Sequence, residues 1–368
     1  MTDTVPPDAG ATPDESAASG EPGRAARRRR LLPRPRLGLG TLCLTCAAII
    51  AVCVVLQLTQ GQPTLSIGEL IDAIRGDGVD RGSFVVQQLR APRIVAGVVI
   101  GAALGAAGVL MQDSLRNPLA DPSLLGVAQG ASFAVAVGTF YPELAPPIPR
   151  PILALMAGTT TGLLVVAVAG RLRDPVRLLL AGAVASSFFG TLTGLMILFA
   201  PESRLGNVAG YQRFLIGSLS TIEWESVWRI VPWSLPAIPL VFIAGRMLNV
   251  LKLGDDVAVT MGLDPGRARI GLLVVAMALV APGYAFAGPI AFVALLAPHI
   301  ARGALRSSDA RPVLVGAAVL GATQLIAADA IGRLLLFPTE IPAGIWTIAI
   351  AAGPAMWFVG RIRRTAAP

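Results

Sequence analysis

The sequence predicts an all-α polytopic membrane protein with about ten transmembrane helices. Three observations carry that prediction. Of 368 residues, 54% are hydrophobic and only 14% charged, with a mean hydropathy of +0.69; a soluble domain carries about a quarter charged residues. The apolar residues gather in long runs, each near the roughly 20 residues a helix needs to cross a bilayer. The basic residues are uneven between alternate loops: of 30, 21 fall in one set and nine in the other. By the positive-inside bias, that asymmetry puts both termini in the cytoplasm.

Residues 1–36 are rich in Pro, Ala, Gly, Asp and Glu and include the run Arg27 to Arg30. They lack the apolar surface to offset the entropy of folding, so a disordered cytoplasmic extension is expected, with the membrane domain over 37–364. The first run, 39–58, follows the basic stretch as a signal peptide would. It is too long for a signal core and no clear small-residue cleavage pattern follows, so it is expected to be retained as a span. Its Cys43, Cys46 and Cys53 have no second pair and no histidine nearby, and read as apolar filler rather than a redox or metal pair. In the loop 59–91, Ser66 and Glu69 have capping-box spacing ahead of Leu70, Ile71 and Ile74, which predicts a short amphipathic helix on the membrane surface.

The second run, 92–112, carries Gly97, Gly101 and Gly105 at a spacing of four, which lets another helix backbone approach closely. It is preceded by Arg90 and Arg93 and closed by Arg116-Asn117-Pro118-Leu119-Ala120-Asp121-Pro122. Lipid tolerates such irregular backbone only where protein or a water-filled cavity surrounds it, so a path through the protein is expected here. Further runs lie at 123–140, 151–170, 178–200, 231–249, 269–284, 286–304, 312–330 and 343–360. The third, seventh and eighth of the whole series are interrupted or crowded by Pro and Gly. In 178–200 the polar residues are the hydroxyls Ser186, Ser187, Thr191 and Thr193. They suit a weakly polar conduit for a bulky substrate, or equally bonds between helices and back to carbonyls. Tyr211, Trp224 and Trp228 in 204–229 are expected at headgroup level, as an aromatic belt.

The loop from Arg246 to Arg269 contains Gly254, which can end one helix, and Asp255 or Asp256, which can cap the next. Val257, Ala258, Met261 and Leu263 then form a compact apolar face on a short helix ending near Gly262. That face fits a partner's groove or its own bundle, and the residues alone leave both open.

Several chemistries are excluded. The single histidine, His299, stands far from the cysteines, so no metal cluster and no enzyme constellation is expected; it reads as a helix-end group. The only lysine, Lys252, follows leucine, which rules out a phosphate-binding GxxxxGK[ST] loop and ATP hydrolysis by this chain in that manner. The basic balance comes without a soluble basic face bearing aromatics, so nucleic acid is not a partner. Ion-coupled secondary transport is the rival of another class; it usually places acids or bases at mid-membrane, whereas Asp113 and Asp329 lie toward span ends. An inert scaffold is a further rival.

Arg90-Ala-Pro-Arg93, the glycine-rich span, Met111-Gln112, Asn117-Pro-Leu-Ala-Asp-Pro122, Leu179-Leu-Ala-Gly182, Gly217-Ser-Leu219, the loop Leu253 to Pro265, Ala287-Gly-Pro-Ile-Ala-Phe-Val293, Pro298-His299 and Glu340-Ile-Pro-Ala-Gly344 resemble the FecCD-type permeases of ABC importers, over roughly residues 40–364. The resemblance implies a type II importer fold with helices 2–5 and 7–10 as inverted repeats, in a homodimer or close heterodimer around a central path. It implies separate cytoplasmic ATPase subunits that use ATP, no cofactor in this chain, and an extracytoplasmic substrate-binding protein. It places Arg90, Arg93 and Arg333 on the surface that docks the binding protein. The coupling loop is 250–268, with Gly254, Asp255, Asp256, Ala258, Met261, Gly262, Leu263 and Asp264 meeting the ATPase. Asn117, Pro118, Leu119, Asp174 and Pro175 would flank the exit, and Ser186, Ser187 and Thr191 the path. The expected cargo is a ferric-siderophore complex, with haem or cobalamin as alternatives.

Overall fold

The computed structural model describes residues 37–61, 63–75, 81–168 and 175–353. The expectations for 1–36, for Asp174 and for the last span beyond 353 lie outside the described residues. Among those described there is no strand. The helices are α1 (Leu39–Thr59), α2 (Ile67–Arg75), α3 (Arg81–Phe84), α4 (Ala91–Ser114), α5 (Val127–Phe140), α6 (Arg150–Val168), α7 (Pro175–Leu198), α8 (Val208–Ile216), α9 (Trp224–Ser234), α10 (Ala237–Lys252), α11 (Asp255–Thr260), α12 (Pro265–Ala287), α13 (Val293–Leu305) and α14 (Ala310–Leu334). A further apolar helix, α15, covers Ala343–Gly353.

Among the described residues six helices are long and apolar enough to cross a membrane alone, and the bent pair α9–α10 makes a seventh if taken as one span; α5, α13 and α15 are shorter apolar helices. The third and eighth expected spans are therefore short. The seventh is a full helix of 23 residues with Pro282 inside it.

At two of the three prolines that interrupt the described helices, Pro282 and Pro298, a side chain of another helix takes the carbonyl the proline frees. Proline removes the amide that would bond the carbonyl four residues earlier. For Pro298 that carbonyl is Ala294, and Gln112 Nε2 donates to it at 3.3 Å and to Leu295 at 3.2 Å. For Pro282 it is Ala278, and Trp233 Nε1 donates to it at 3.1 Å. Unpaired backbone in lipid costs several kcal/mol per group, roughly, so these two bonds let broken ladders stay at membrane depth.

α4 is the most buried of the spans, and its glycines explain why. A methyl on Gly101 would lie 2.8 Å from Ala322 Cα of α14, one on Gly105 would strike the Ala317 carbonyl, and one on Gly108 the Ala294 carbonyl of α13. The spacing of four thus lets α4 pack on α14 at backbone contact.

The capping box forms as expected: the Ser66 amide donates to Glu69 Oε2 at 2.7 Å and the Glu69 amide to Ser66 Oγ at 3.3 Å. α2 turns Leu70 and Ala73 inward against Val86 and leaves Ile67 and Ile71 exposed. The aromatic belt holds only in part. Trp228 is exposed, but Trp224 Nε1 donates to the Gln87 carbonyl at 2.6 Å. Tyr211 is buried, its hydroxyl donating to the Ser132 carbonyl at 2.8 Å and its ring edge-on to Phe140 at 5.5 Å. α8 folds back over α5, so Tyr211 serves as core rather than belt.

Candidate functional site

Both groups of residues singled out in the sequence gather at the ends of α4, whose 24 residues span about 36 Å.

At one end, Arg90, Arg93 and Arg333 come together as expected, but with their own acids. Arg93 reaches Asp329 with two nitrogens, Nε to Oδ2 at 2.9 Å and Nη2 to Oδ1 at 2.8 Å, while Nη1 bonds Glu340 Oε2 at 2.9 Å. Arg93 and Asp329 are 7% and 1% exposed. Arg333 donates to the Gln57 carbonyl at 3.2 Å and stands 3.6 Å from Glu340. Arg90 donates to the carbonyls of Leu58 and Pro63, the latter at 2.7 Å. Gly61 makes room for this: with φ +121° it sits where a Cβ would be 2.9 Å from Arg333 and 3.0 Å from Arg90. Burial forces each guanidinium onto an internal acceptor, which joins the start of α4, the end of α1 and the end of α14. A cavity of about 310 Å³ opens beside the three arginines, lined also by Glu223 and by Glu340, whose side chain is 41% exposed.

At the other end, Asp113 pairs with Lys252 at 2.8 Å and Arg302 at 2.9 Å, and Arg302 also bonds Gln112 Oε1 at 2.7 Å. Arg116, held at φ +48°, reaches the Leu251 carbonyl at 2.7 Å and Asp255 Oδ1 at 2.6 Å. Asp255 Oδ1 also accepts from Arg269 at 2.7 Å, and Arg269 Nε donates to the Ser114 carbonyl at 3.1 Å. One carboxylate therefore ties the start of α11 to the ends of α4, α10 and α12. Partial burial raises the Asp255 pKa, but the Arg269 and Arg116 guanidiniums outweigh that and hold it below the ordinary range.

The loop between α10 and α12 is shaped by two glycines with left-handed backbone, Gly254 at φ +115° and Gly262 at φ +81°. Gly254 ends α10 and is itself the N-cap of α11, which corrects the expected capping by Asp255 or Asp256: those two sit in the first turn, and Asp255 faces the arginines. At the far end the amide of Leu263 bonds the Ala258 carbonyl at 2.9 Å and that of Gly262 the Val259 carbonyl at 2.9 Å. Asp264 caps α12, accepting from Gly266 at 2.9 Å and Arg267 at 3.2 Å. The two readings of the apolar face divide residue by residue. Ala258 is fully buried against the bundle, whereas Val257, Val259 and Met261 are 40%, 61% and 60% exposed. Val259, Gly262 and Leu263 line an open groove of about 860 Å³ with Asp256 and Ile270.

Asn117, Pro118 and Leu119 lie at this same end. Asn117 Oδ1 accepts from the Leu119 amide at 2.9 Å, the Asn117 amide donates to Gln112 at 3.0 Å, and Asp121 caps the next turn through Ser123 at 2.8 Å. The broken backbone so satisfies itself, and Leu119 projects 62% exposed. Pro175 begins α7. Ser186 Oγ meets Gln129 at 3.4 Å and Thr191 bonds back to the Ser187 carbonyl at 2.9 Å; Ser187 and Thr191 lie on the exposed face of α7, away from α4. His299 Nδ1 meets the Leu295 carbonyl at 2.8 Å midway along α13, which corrects the expected helix-end placement.

Asp329, Glu340, Asp113, Arg116 and Arg269 were visible in the sequence but carried no site role there. A signal existed for two of them: an acid within or near an apolar span needs a partner, and Asp113 and Asp329 are such acids.

The sequence profile described as the FecCD transport family matches residues 49–361. The chain is 36% identical over 281 residues to the Fe(3+) dicitrate transport system permease protein FecC of Escherichia coli (strain K12), covering 75% of this chain and 83% of that one. It is 35% identical over 320 residues to the ferric enterobactin transport system permease protein FepG of the same organism, covering 84% and 93%. It is 30% identical over 339 residues to the hemin transport system permease protein HmuU of Yersinia pestis, covering 90% and 97%. Among solved structures, an inward-facing conformation of a metal-chelate type ABC transporter shares the fold, with a TM-score of 0.74 at 24% identity, over 88% of this chain and 99% of that one. With this match over most of its length, the chain belongs to the FecCD transport family, the permeases of ABC importers.

Proposed function

We propose that the protein carries ferric-siderophore complexes across the cytoplasmic membrane by alternating access, with both termini in the cytoplasm and ATP hydrolysis in separate ATPase subunits. The observation that carries this reading is α11. Its Val257, Val259 and Met261 are exposed on a helix too short to enter a bilayer, and Asp255 ties its start to α4, α10 and α12. An apolar patch of this kind fits a groove on an ATPase. Displacement of α11 would pull Arg116 and Arg269, and through them the Asn117 turn and the bundle.

The binding protein is proposed to dock at the Arg93 end. Three guanidiniums and the carboxylates of Asp329, Glu340 and Glu223 share this end, so a docking partner would meet charges of both signs there. Such charges chiefly set on-rate and register. A second permease copy is proposed along α7, where Gly190 and Gly194 have nothing within 4 Å and Ser187 and Thr191 share the open face; these hydroxyls would line the path between copies. The likeness to FecC and FepG supports an iron–siderophore cargo, and that to HmuU makes haem the alternative.

The test is reconstitution of the permease with its ATPase in proteoliposomes. Hydrolysis stimulated by the loaded binding protein, with uptake of the iron complex, is expected. Uptake driven by a proton or sodium gradient without ATP would sink the proposal, and uptake of haem in preference to the siderophore would replace the cargo.

A further inference from the structure

We infer that the groove between α4, α10, α12 and α14 binds one anionic phospholipid from the leaflet at the Asp113 end. The groove holds about 340 Å³ and is walled by apolar side chains, among them Val99, Ala102, Phe242 and Ala318. Ser234 is the polar residue at its deep end, and its hydroxyl donates to the Ile230 carbonyl at 2.9 Å. Nothing inside therefore asks for a hydrogen bond, and the occupant of the interior is a hydrocarbon.

The charge is confined to the mouth. Arg311 lines the groove at the start of α14, and its stem rests on α10, where a Cβ on Gly245 would be 3.0 Å from Arg311 Cγ. The neighbouring acid, Asp309, is engaged by Asn249 Nδ2 at 2.7 Å and by the Arg311 backbone amide at 3.0 Å. Among the described residues no ion pair takes the Arg311 guanidinium. The α14 wall from Arg311 to Val319 is about 12 Å long at the helical rise, against about 15 Å for half of a bilayer's hydrocarbon core. The groove has the depth of one leaflet and a cation where that leaflet's headgroup lies, a combination that selects an acyl chain beneath a phosphate. The inference rests on insertion in a membrane and is independent of the cargo and of the ATPase.

The test is native mass spectrometry of the detergent-purified full-length permease, titrated with phosphatidylglycerol and phosphatidylcholine of equal chain length. One phosphatidylglycerol per chain is expected, held about fivefold more tightly than phosphatidylcholine, the scale of one basic residue at an anionic surface. Arg311→Gln should erase the preference and Arg311→Lys should keep most of it. Ala102→Phe, which fills the groove, should lower retention of both lipids while size-exclusion behaviour stays unchanged. Equal retention of the two lipids by the wild-type protein, or a preference intact in Arg311→Gln, would overturn the inference. So would displacement by glycerophosphoglycerol alone, which would make the site one for a soluble phosphate.

Discussion

The two ends of α4 use the same chemistry in opposite surroundings. At the Arg93 end the guanidinium–carboxylate pair is sealed, with Arg93 at 7% and Asp329 at 1% exposure. At the Asp113 end, Arg116 and Asp255 have side chains 46% and 43% exposed, beside apolar residues open to solvent. Breaking a buried pair strands a charge and costs several kcal/mol, roughly, whereas exposed pairs are worth about 0–1 kcal/mol. The first end is a clamp that holds α1, α4 and α14 in one arrangement. The second joins an exposed Arg116–Asp255 contact, which exchanges at little cost, to the buried Arg269 and Asp113, so its outer contact is the part free to move.

That contrast has measurable consequences. Arg93→Ala should destabilise the protein by about 3–5 kcal/mol, read as early aggregation on heating in detergent, and Arg93→Met with Asp329→Leu should recover much of the loss. A single change without effect would mean that the end is no clamp. Next in size, Val259→Asp or Met261→Asp should weaken ATPase binding by about 2 kcal/mol, roughly thirtyfold, while the melting profile moves by less than about 0.5 kcal/mol. Binding unchanged by pull-down would remove α11 from the interface.

Asp255→Asn weakens the partner of the buried Arg269 guanidinium and should cost about 1–2 kcal/mol of stability, yet lower uptake several-fold while the ATPase still binds. The carboxyl of Asp255 titrates below its ordinary range when folded, so its contribution is present above about pH 4 and is lost as pH falls through the folded value. Coupling through this residue should then stay flat from about pH 5 to 8; a step within that window, absent in Asp255→Asn, would contradict the assignment. The smallest effect is expected at Glu143. Its exposed carboxyl is drawn down to about 2, chiefly by the hydrogen bond from Arg204. Glu143→Gln should leave uptake and melting unchanged.

Much of the fold was legible because it rests on one-dimensional regularities. Long apolar runs give spans, the Gly97–Gly101–Gly105 spacing gives the face that meets α14, and Ser66 with Glu69 gives the cap of α2. Less legible were the short spans, where Gly and Pro obscure length, and the full-length α12, where the Ala278 carbonyl freed by Pro282 is taken by Trp233, 45 residues from Ala278 along the chain. The site was half legible: α11 and its bracketing glycines could be read, whereas Arg93 with Asp329, 236 residues apart, and Arg116 with Asp255, 139 apart, could not.

The sequence by itself determined the solvent in which this protein folds, the family to which it belongs and the places where helices start and stop, because hydropathy, glycine spacing and capping act over a few residues. Only the tertiary structure decided which charges are sealed and which stay adjustable. That depends on which distant backbone closes over each arginine, and burial, not residue type, sets the cost of moving it.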